Sequence, residues 1–421
     1  MLTCSKTISV TLALLGACLG SACNEGNAEI KGLKEWASSV TKPVPTDTAC
    51  HPPVFQERPH AASLTLRSPW HPVSVHGDRS VRIETLRSAL TALESIYTRW
   101  KRADWPLPLP DAGRSGDSGI DVFLQTRTGP CAQAYLERIA SEQPFDAGVG
   151  FATIAVPNSL RDLEACIAQA FIQLSLLSYE PAESDTWRRA TASYLAWVLS
   201  GQENMTPDMA VRRHQSWQGW LHSPSYYDEG DALIWYLLEQ HPQTHDGNYT
   251  MAMWERSRQK STKPSCLADT PHLWQAILAE RRGSGESFEH TMNALSVTRY
   301  FSKEINGKPQ AISQSSLSLP LRIPVATHAI EPFGSAYVLL NIDHEHTDRP
   351  LQGWLHGEAG VLWSLMAIRL DAQGNELSRI SAPVRYEPKV FLQVEVTPET
   401  KAVLWILTNL ARGAPGYDDP N

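Results

Sequence analysis

The sequence predicts an α+β protein in which a mostly helical domain is followed by an antiparallel β-sandwich. The chain has 421 residues, of which 42% are hydrophobic, and this is enough apolar sequence for two domains with separate cores. Apolar residues recur at helical spacing through most of the chain up to about residue 303. After about residue 315 the pattern changes to short apolar or alternating runs separated by Gly, Pro, Asp and Asn, which is typical of short strands.

The charge of the chain argues against a nucleic-acid partner. Its formal net charge is -8 at pH 7, and it contains no run of Lys and Arg and no stripe of basic and aromatic residues. The cysteines also lack the Cys-x-x-Cys or Cys/His spacing of zinc ribbons, so the sequence excludes that kind of site.

Residues 1–17 are predicted to be a bacterial lipoprotein signal peptide. Their apolar run, Ile8 to Ala17, is about half of the ~20 residues that span a bilayer, so a cleaved signal is favoured over a transmembrane helix. The tetrapeptide that ends at Cys18, Leu-Gly-Ala-Cys, resembles a lipobox, in which the chain is cleaved just before a cysteine that receives the lipid. Cys23, which follows Gly-Ser-Ala, is the alternative lipidation site.

We therefore expect a lipoprotein of the bacterial cell envelope, anchored to the membrane by its N-terminal lipid and facing the periplasm or the cell surface. Residues 18–75 are polar and rich in proline, which predicts a tether and an irregular N-terminal segment. Lipidation of Cys18 leaves an odd number of cysteines in the mature chain, whereas lipidation of Cys23 leaves an even number. The disulfide pairing therefore stays open.

Residues 76–305 are predicted to form a domain of helices with a few strands. Its first helix spans Asp78 to Trp100, where apolar residues alternate at three and four positions. The next segments are predicted as a strand at Ile120–Gln125, a helix at Cys131–Ala140, a strand at Gly148–Val156 and two helices within Leu160–Gly201. Four further helices are predicted at Asp228–Gln240, Tyr249–Gln259, Pro271–Arg281 and Glu286–Tyr300. This order is typical of an α+β domain.

Residues 315–412 are predicted to form the β-sandwich, and residues 413–421 a tail. Asp371 to Asn375 has the composition of a hairpin loop inside it. Seven short strands are expected, at Leu317–Val325, Ala336–Ile342, Leu351–His356, Val361–Leu370, Glu376–Ile380, Val390–Val396 and Ala402–Thr408.

The two helices within Leu160–Gly201 carry the features on which a functional hypothesis depends. The second contains the run Trp-Arg-Arg-Ala-Thr-Ala-Ser-Tyr, which begins at Trp187. This run resembles the second ligand helix of secreted bacterial metallopeptidase-like proteins of the gluzincin type. In that family one helix carries HExxH, often with a Gln three residues on, and the later helix supplies a Glu in the context Trp-x-Glu-Ala/Gly-x-Ala-x-aromatic. Arg189 stands here at the position of that Glu.

The spacing of the gluzincin family implies which residues stand at its other functional positions. Cys166 and Ala170 take the two His positions, Ile167 takes the position of the catalytic Glu, and Gln173 fits the trailing Gln. A frame three residues earlier keeps Glu164 as the base but puts Leu163 and Ile167 at the His positions. A catalytic zinc needs three His, Cys or carboxylate ligands and an open position, and a guanidinium is not a ligand. The resemblance therefore implies a degenerate peptidase without zinc or another cofactor.

The resemblance to the gluzincin type extends over most of the mature chain. The loop WPLPLPD with the strand IDVFLQ, and the run YYDEGDALIWYLLEQHP with the later MAMWE, stand where the family has a loop–strand unit and a helix pair. Gln173, Glu164, Tyr226 and Tyr227 are candidates to line the former cleft, with aromatic core packing as the alternative for the two tyrosines. Arg189 is expected either to occupy the vacated metal volume and pair with a carboxylate such as Glu164, or to face solvent on an amphipathic helix.

Three functional hypotheses follow from the sequence. In the first, an envelope lipoprotein keeps a peptidase-like fold without peptidase chemistry and binds a protein, peptide or glycan through the former cleft or the β-sandwich. In the second, the chain is an active hydrolase with an unrecognised site. In the third, it is a purely structural envelope lipoprotein. The first is the hypothesis that the absent ligands favour.

The lipid anchor is tested by Cys18→Ser. Because lipidation needs the cysteine thiol, this variant is expected to leave the membrane pellet for the soluble fraction, as measured by fractionation and immunoblotting. Cys23→Ser is the matched control and should stay in the pellet. Membrane association that survives Cys18→Ser but is lost in Cys23→Ser would move the anchor to Cys23.

Overall fold

The chain is described from a computed structural model as an α+β protein of helices and both mixed and antiparallel sheets. The fold class that the sequence predicts is confirmed at this level. The structure describes residues 11–16, 54–59, 63–111, 119–126, 131–141, 145–201, 207–216, 232–239, 245–258, 273–283, 288–302, 309, 311–316, 321–324, 330–331, 333–343, 350–357, 361–382 and 389–410.

The helices and strands of the described residues are numbered in chain order. The helices are α1 (Ile83–Arg102), α2 (Leu160–Tyr179), α3 (Asp185–Ser200), α4 (Pro207–His214), α5 (Leu233–Glu239), α6 (Asn248–Ser257), α7 (Leu273–Gly283) and α8 (Phe288–Phe301). The strands are β1 (Thr11–Gly16), β2 (Leu64–Arg67), β3 (Val73–Gly77), β4 (Ile120–Gln125), β5 (Ala132–Ser141), β6 (Asp146–Ala155), β7 (Ala311–Ser315), β8 (Leu321–Pro324), β9 (Ser335–Asn341), β10 (Leu351–His356), β11 (Trp363–Leu370), β12 (Glu376–Ser381), β13 (Lys389–Val394) and β14 (Ala402–Asn409).

The first half of the chain is built on a five-stranded mixed sheet in the order β2-β3-β4-β6-β5. The three inner strands are parallel, and the two edge strands pair with them in the antiparallel sense. Alternate residues of the inner strands, such as Val75, Val122 and Ile154, lie in one apolar core with the helices. Because strand side chains alternate between faces, the residues between them lie on the other side of the sheet.

Helix α2 is the element that packs most closely on this sheet. It begins at Ser159, whose hydroxyl accepts a hydrogen bond from the backbone N–H of Asp162 at 3.1 Å, and it ends two residues before Pro181. Gly148 of β6 permits the close approach, since a Cβ there would lie 2.4 Å from the carbonyl oxygen of Leu177. The sequence predicts both α2 and α3, and the structure confirms them.

Most strands of the second half of the chain lie in two sheets that share an apolar core. One has the order β13-β10-β1-β8 and includes β1 from the N-terminal segment, and the other has the order β12-β11-β14-β9-β7. The second sheet is mixed and not antiparallel as predicted, because β7 pairs with β9 in the parallel sense. Side chains of both sheets, including Leu355, Leu365, Leu392 and Trp405, pack in that core. The predicted hairpin loop after β11 is confirmed, because the Asp371 carboxylate accepts hydrogen bonds from the backbone of residues 373 and 375.

The helices and the C-terminal sheets are joined by buried polar contacts around α8. The Arg213 guanidinium donates hydrogen bonds to the carbonyl oxygens of Arg299 at 2.7 Å and Ser302 at 2.7 Å. Carbonyl groups at the C-terminal end of a helix such as α8 have no hydrogen-bond partner within the helix. The hydroxyl of Tyr337 on β9 donates to the carbonyl oxygen of Ser296 at 2.9 Å. Burial lowers the pKa of Arg213 to about 10. These contacts connect the two halves through buried hydrogen bonds.

Several boundaries differ from those predicted. Cys131–Ala140 is not a helix, because residues 132–141 form β5 and pair with β6; the helix-forming Ala, Leu, Glu and Arg there give way to sheet pairing. The N-terminal segment is not irregular as far as residue 75, because β2 and β3 are strands of the sheet and the predicted boundary cuts β3. Strand β7 likewise lies before the predicted start at residue 315.

The predicted signal peptide contains a strand in the full-length chain. Thr11–Gly16 forms β1, which pairs in the antiparallel sense with β10 on one side and β8 on the other. Cleavage before Cys18 would remove this strand from the mature protein. Among the described residues, no helix has the length and apolar character that a membrane crossing needs.

The buried carboxylate of Glu239 ties α5 to the start of α6. It accepts hydrogen bonds from the hydroxyl of Tyr194 at 2.7 Å, the backbone N–H of Gly247 at 3.0 Å and the backbone N–H of Thr250 at 2.9 Å. N–H groups in the first turn of a helix such as α6 have no carbonyl partner within the helix. The helix dipole also favours a negative charge at this end. Burial and the nearby carboxylate raise the pKa of the Tyr194 hydroxyl.

The role of Glu239 is tested by Glu239→Ala. Loss of these charge-assisted hydrogen bonds in the interior is expected to lower the free energy of unfolding by about 3 kcal/mol, as measured by urea denaturation. Glu164→Ala is the matched control, because Glu164 is exposed on α2 and should change stability by less than about 0.5 kcal/mol. Equal effects of the two substitutions would contradict this role.

Candidate functional site

The residues that the sequence places at the family's ligand positions lie on the buried face of α2. Cys166 is 2% exposed, and Ile167 and Ala170 are 0% exposed. All three belong to the apolar core between the helices and the five-stranded sheet. Phe171, next to Ala170, packs its ring edge-on against that of Trp100, with 6.0 Å between centroids. Cys166, Ile167 and Ala170 therefore lie in a packed apolar interior and not on an open cleft.

Cys166 is joined to Cys131 by a disulfide bond. The bond connects the middle of α2 to the residue just before β5, with the two Cα atoms 5.3 Å apart. A cysteine binds a metal as a thiolate, so a sulfur in a disulfide is not available as a ligand. The sequence left this pairing open, because its four or five mature cysteines allowed several connectivities.

Arg189, at the position of the family's Glu ligand, does not pair with Glu164. Its guanidinium lies 3.7 Å from the carboxylate of Asp185, one turn earlier on α3, and its side chain is 21% exposed. Glu164 is exposed on the outer face of α2. The predicted replacement of a metal by an Arg189–Glu164 pair is therefore wrong, because the local i,i+4 partner is closer.

On the buried face of α3, Thr191 is the centre of a hydrogen-bonded cluster of aromatic side chains. The hydroxyl oxygen of Thr191 accepts hydrogen bonds from the indole N–H of Trp235 at 2.9 Å and of Trp254 at 3.1 Å. The same hydroxyl donates to the carbonyl oxygen of Trp187 at 2.7 Å. This cluster was not predicted from the sequence. The available signal was that buried indole N–H groups need hydrogen-bond acceptors and that Thr191 lies on the apolar face of α3.

Gln173 does not face an open cleft. It is 3% exposed, its side-chain oxygen accepts a hydrogen bond from the backbone N–H of Ala134 at 3.0 Å, and its amide donates to the carbonyl oxygen of Ala132 at 3.3 Å. The side chain thus satisfies backbone groups on the free edge of β5, as an added strand would. Tyr226 and Tyr227, the other predicted cleft residues, lie outside the described residues.

Within the part of the chain that the structure describes, no group of three or more His, Cys, Asp or Glu residues has the arrangement that would hold a metal ion. The positions that would carry a zinc ligand or a base hold a disulfide sulfur, two apolar side chains and a guanidinium. Their chemistry is that of a packed core, so the arrangement supplies neither an activated water nor a nucleophile with a neighbouring base.

A second polar cluster lies on the face of the five-stranded sheet away from α2. Arg58 makes a bidentate ion pair with Glu137, with contacts of 2.7 and 2.9 Å. The same guanidinium contacts the carboxylates of Asp121 at 2.5 Å and Asp111 at 2.9 Å. The imidazole of His76 lies 2.8 Å from the other oxygen of Asp121.

Burial of Arg58 opposes its charge, but hydrogen bonds and the charges of Glu137 and Asp121 raise its pKa above the usual value. Sequence reasoning missed this cluster. The available signal was a lone aspartate between Ile120 and Val122 in an otherwise apolar strand, since a buried carboxylate requires a partner. That partner comes from a residue 63 positions earlier in the chain, which no local pattern indicates.

Comparisons with known proteins add little to this geometry. No protein-family model matches the chain, and a search of curated proteins finds no match. Among solved structures, the chain is similar to an aminopeptidase A of Legionella pneumophila in complex with aspartic acid, with 9% sequence identity and a TM-score of 0.35. The match covers 79% of this chain and 35% of that chain. We draw no argument about fold or activity from a similarity at that level.

The disulfide is tested by the double variant Cys131→Ser/Cys166→Ser. Because the bond closes a loop over a sequence separation of 35, its loss is expected to lower the free energy of unfolding by about 3–4 kcal/mol, as measured by urea denaturation. Reduction of the wild-type protein should give a loss of at least this size, and the reductant should destabilise the double variant by about 3–4 kcal/mol less than it destabilises the wild type. A double variant as stable as the oxidised wild type would contradict the assignment.

Proposed function

We propose that the chain is a cell-envelope lipoprotein with a catalytically inactive zinc-peptidase-like domain, and that it binds a protein, peptide or glycan. The observation that carries the proposal is the Cys131–Cys166 disulfide at the first ligand position of the family. In this reading the five-stranded sheet with its helices is a degenerate gluzincin-type domain, and the two sheets that share the second core form a β-sandwich that is antiparallel except where β7 pairs with β9. The order of elements along the chain supports both assignments.

The loss of catalysis follows from what fills each position. A zinc site needs polar ligands around an open, hydrated volume, whereas Ile167 and Ala170 are completely buried among apolar side chains. A buried isoleucine contributes about 1.5–3 kcal/mol to folding, so the core gains stability where an enzyme keeps an open site. A retained fold without its chemistry leaves shape as the useful property.

Binding then has to use a surface other than the cleft positions on α2. One such surface is the outer face of β10 and β13, where the rings of Trp354 and Phe391 are 4.5 Å apart and Phe391 is 40% exposed. Gln352 and Gln393 make the neighbouring cross-strand pair on the same face, with a hydrogen bond of 3.4 Å. Aromatic rings beside amide groups suit ligands that have both apolar and hydroxyl-rich surfaces.

Metal analysis and a peptidase assay test this proposal together. The protein purified without chelator is expected to hold substoichiometric zinc, as measured by mass spectrometry of the metal. Its hydrolysis of casein should be at background and the same with and without a chelator. Stoichiometric zinc together with chelator-sensitive hydrolysis of casein would contradict the proposal and favour the alternative, an active hydrolase.

A further inference from the structure

Residues 54–59, here called the strap, lie along the free edge of β5. The backbone N–H of Gln56 donates to the carbonyl oxygen of Leu136 at 2.8 Å, next to the part of the same edge that Gln173 satisfies. Val54 and Phe55 are 73% and 52% exposed, so the first half of the strap makes little contact with the sheet. Arg58 is the strap residue that enters the interior.

Arg58 occupies a pocket of three carboxylates that come from three different parts of the fold. Asp111 lies in the loop before β4, Asp121 on β4 and Glu137 on β5, and their side chains are 1%, 0% and 6% exposed. The Phe151 ring lies below the guanidinium, with 5.9 Å between the ring centroid and the guanidinium carbon. These residues belong to the sheet and its adjoining loop, so the carboxylates of the pocket all come from outside the strap.

The geometry of the pocket selects arginine among cations. Glu137 receives two parallel N–H donors, one from Nε at 2.7 Å and one from Nη2 at 2.9 Å, which only a planar guanidinium supplies. Asp111 and Asp121 both contact Nη1. Buried carboxylates are costly without a cation, so the pocket retains a strong preference for a guanidinium when Arg58 leaves it.

We propose that this pocket is an arginine-binding site which the strap fills from within, and that an extended peptide segment of a partner inserts an arginine there in place of Arg58. The inference goes beyond the binding function proposed above, because this pocket is separate from the outer face of β10 and β13. The edge of β5 supplies backbone acceptors such as the Leu136 carbonyl, and peptides that add to a sheet edge use such groups. Val54 and Phe55 are exposed, so an incoming peptide segment can first contact the protein there before its arginine replaces Arg58.

The test uses the full-length chain with Arg58→Ala and a fluorescent peptide with the sequence of residues 54–59, VFQERP. The emptied pocket is expected to bind this peptide more tightly than the wild-type protein by about tenfold or more, as measured by fluorescence anisotropy. A peptide with alanine in place of its arginine should lose that gain, and a lysine peptide should recover only part of it. Arg379→Ala is the matched control, because Arg379 pairs with Glu376 on an exposed strand.

A second measurement applies if Arg58→Ala folds too poorly for the peptide-binding experiment. Methylguanidinium is expected to raise the melting temperature of Arg58→Ala and of the milder Arg58→Lys, and to leave the wild type and Arg379→Ala unchanged. Equal peptide affinity for the variant and the wild type, or no dependence on the peptide's arginine, would overturn the proposal. Zinc content and casein turnover are independent readouts, so failure of the arginine site and failure of the pseudo-peptidase assignment are distinguishable.

Discussion

The covalent bond between Cys131 and Cys166 holds α2 against the edge strand β5, and the interior of the first half of the chain depends on that contact. From Cys166 the buried face of α2 continues through Ile167 and Ala170 to Gln173, which hydrogen bonds to the β5 backbone. Helix and edge strand are thus fixed at two points, one covalent and one polar.

The buried positions of α2 and the polar groups around them serve the packing of the fold. Ile167 and Ala170 pack in the core, Cys166 forms the disulfide, and Arg189 contacts Asp185 within α3. The polar groups that remain inside the fold have structural partners: the Glu239 carboxylate caps α6, and the Thr191 hydroxyl receives two indole N–H groups. The Arg58 cluster differs, because its cation belongs to a strap with an exposed beginning while its carboxylates belong to the sheet.

Much of the fold was predictable because its signals are local. The apolar periods of α1, α2 and α3 and the hairpin loop that Asp371 organises lie within single stretches of sequence, and the structure confirms them. Strand β5 was not predictable, because its residues favour a helix and only pairing with β6 makes them extended. Strands β2 and β3 lie among prolines, and β3 joins the sheet by pairing in parallel with the distant β4.

The candidate site was predictable in part for the same reason. The frame of ligand positions came from a local run around Trp187, and the Asp185 contact of Arg189 is a local i,i+4 pair within α3. The partners of Cys166 and Arg58 are set by tertiary contacts instead. Cys131 was one of several cysteines, and the acidic pocket around Arg58 does not follow from periodicity.

The measurement that tests the central claim most directly is peptide mapping of the protein digested without reduction, after free thiols have been alkylated. The account predicts one disulfide-linked peptide pair that contains Cys131 and Cys166, with neither residue found in alkylated form. Recovery of both cysteines as alkylated thiols would contradict it, since α2 and β5 would then not be joined by a covalent bond and Cys166 would be a free thiol.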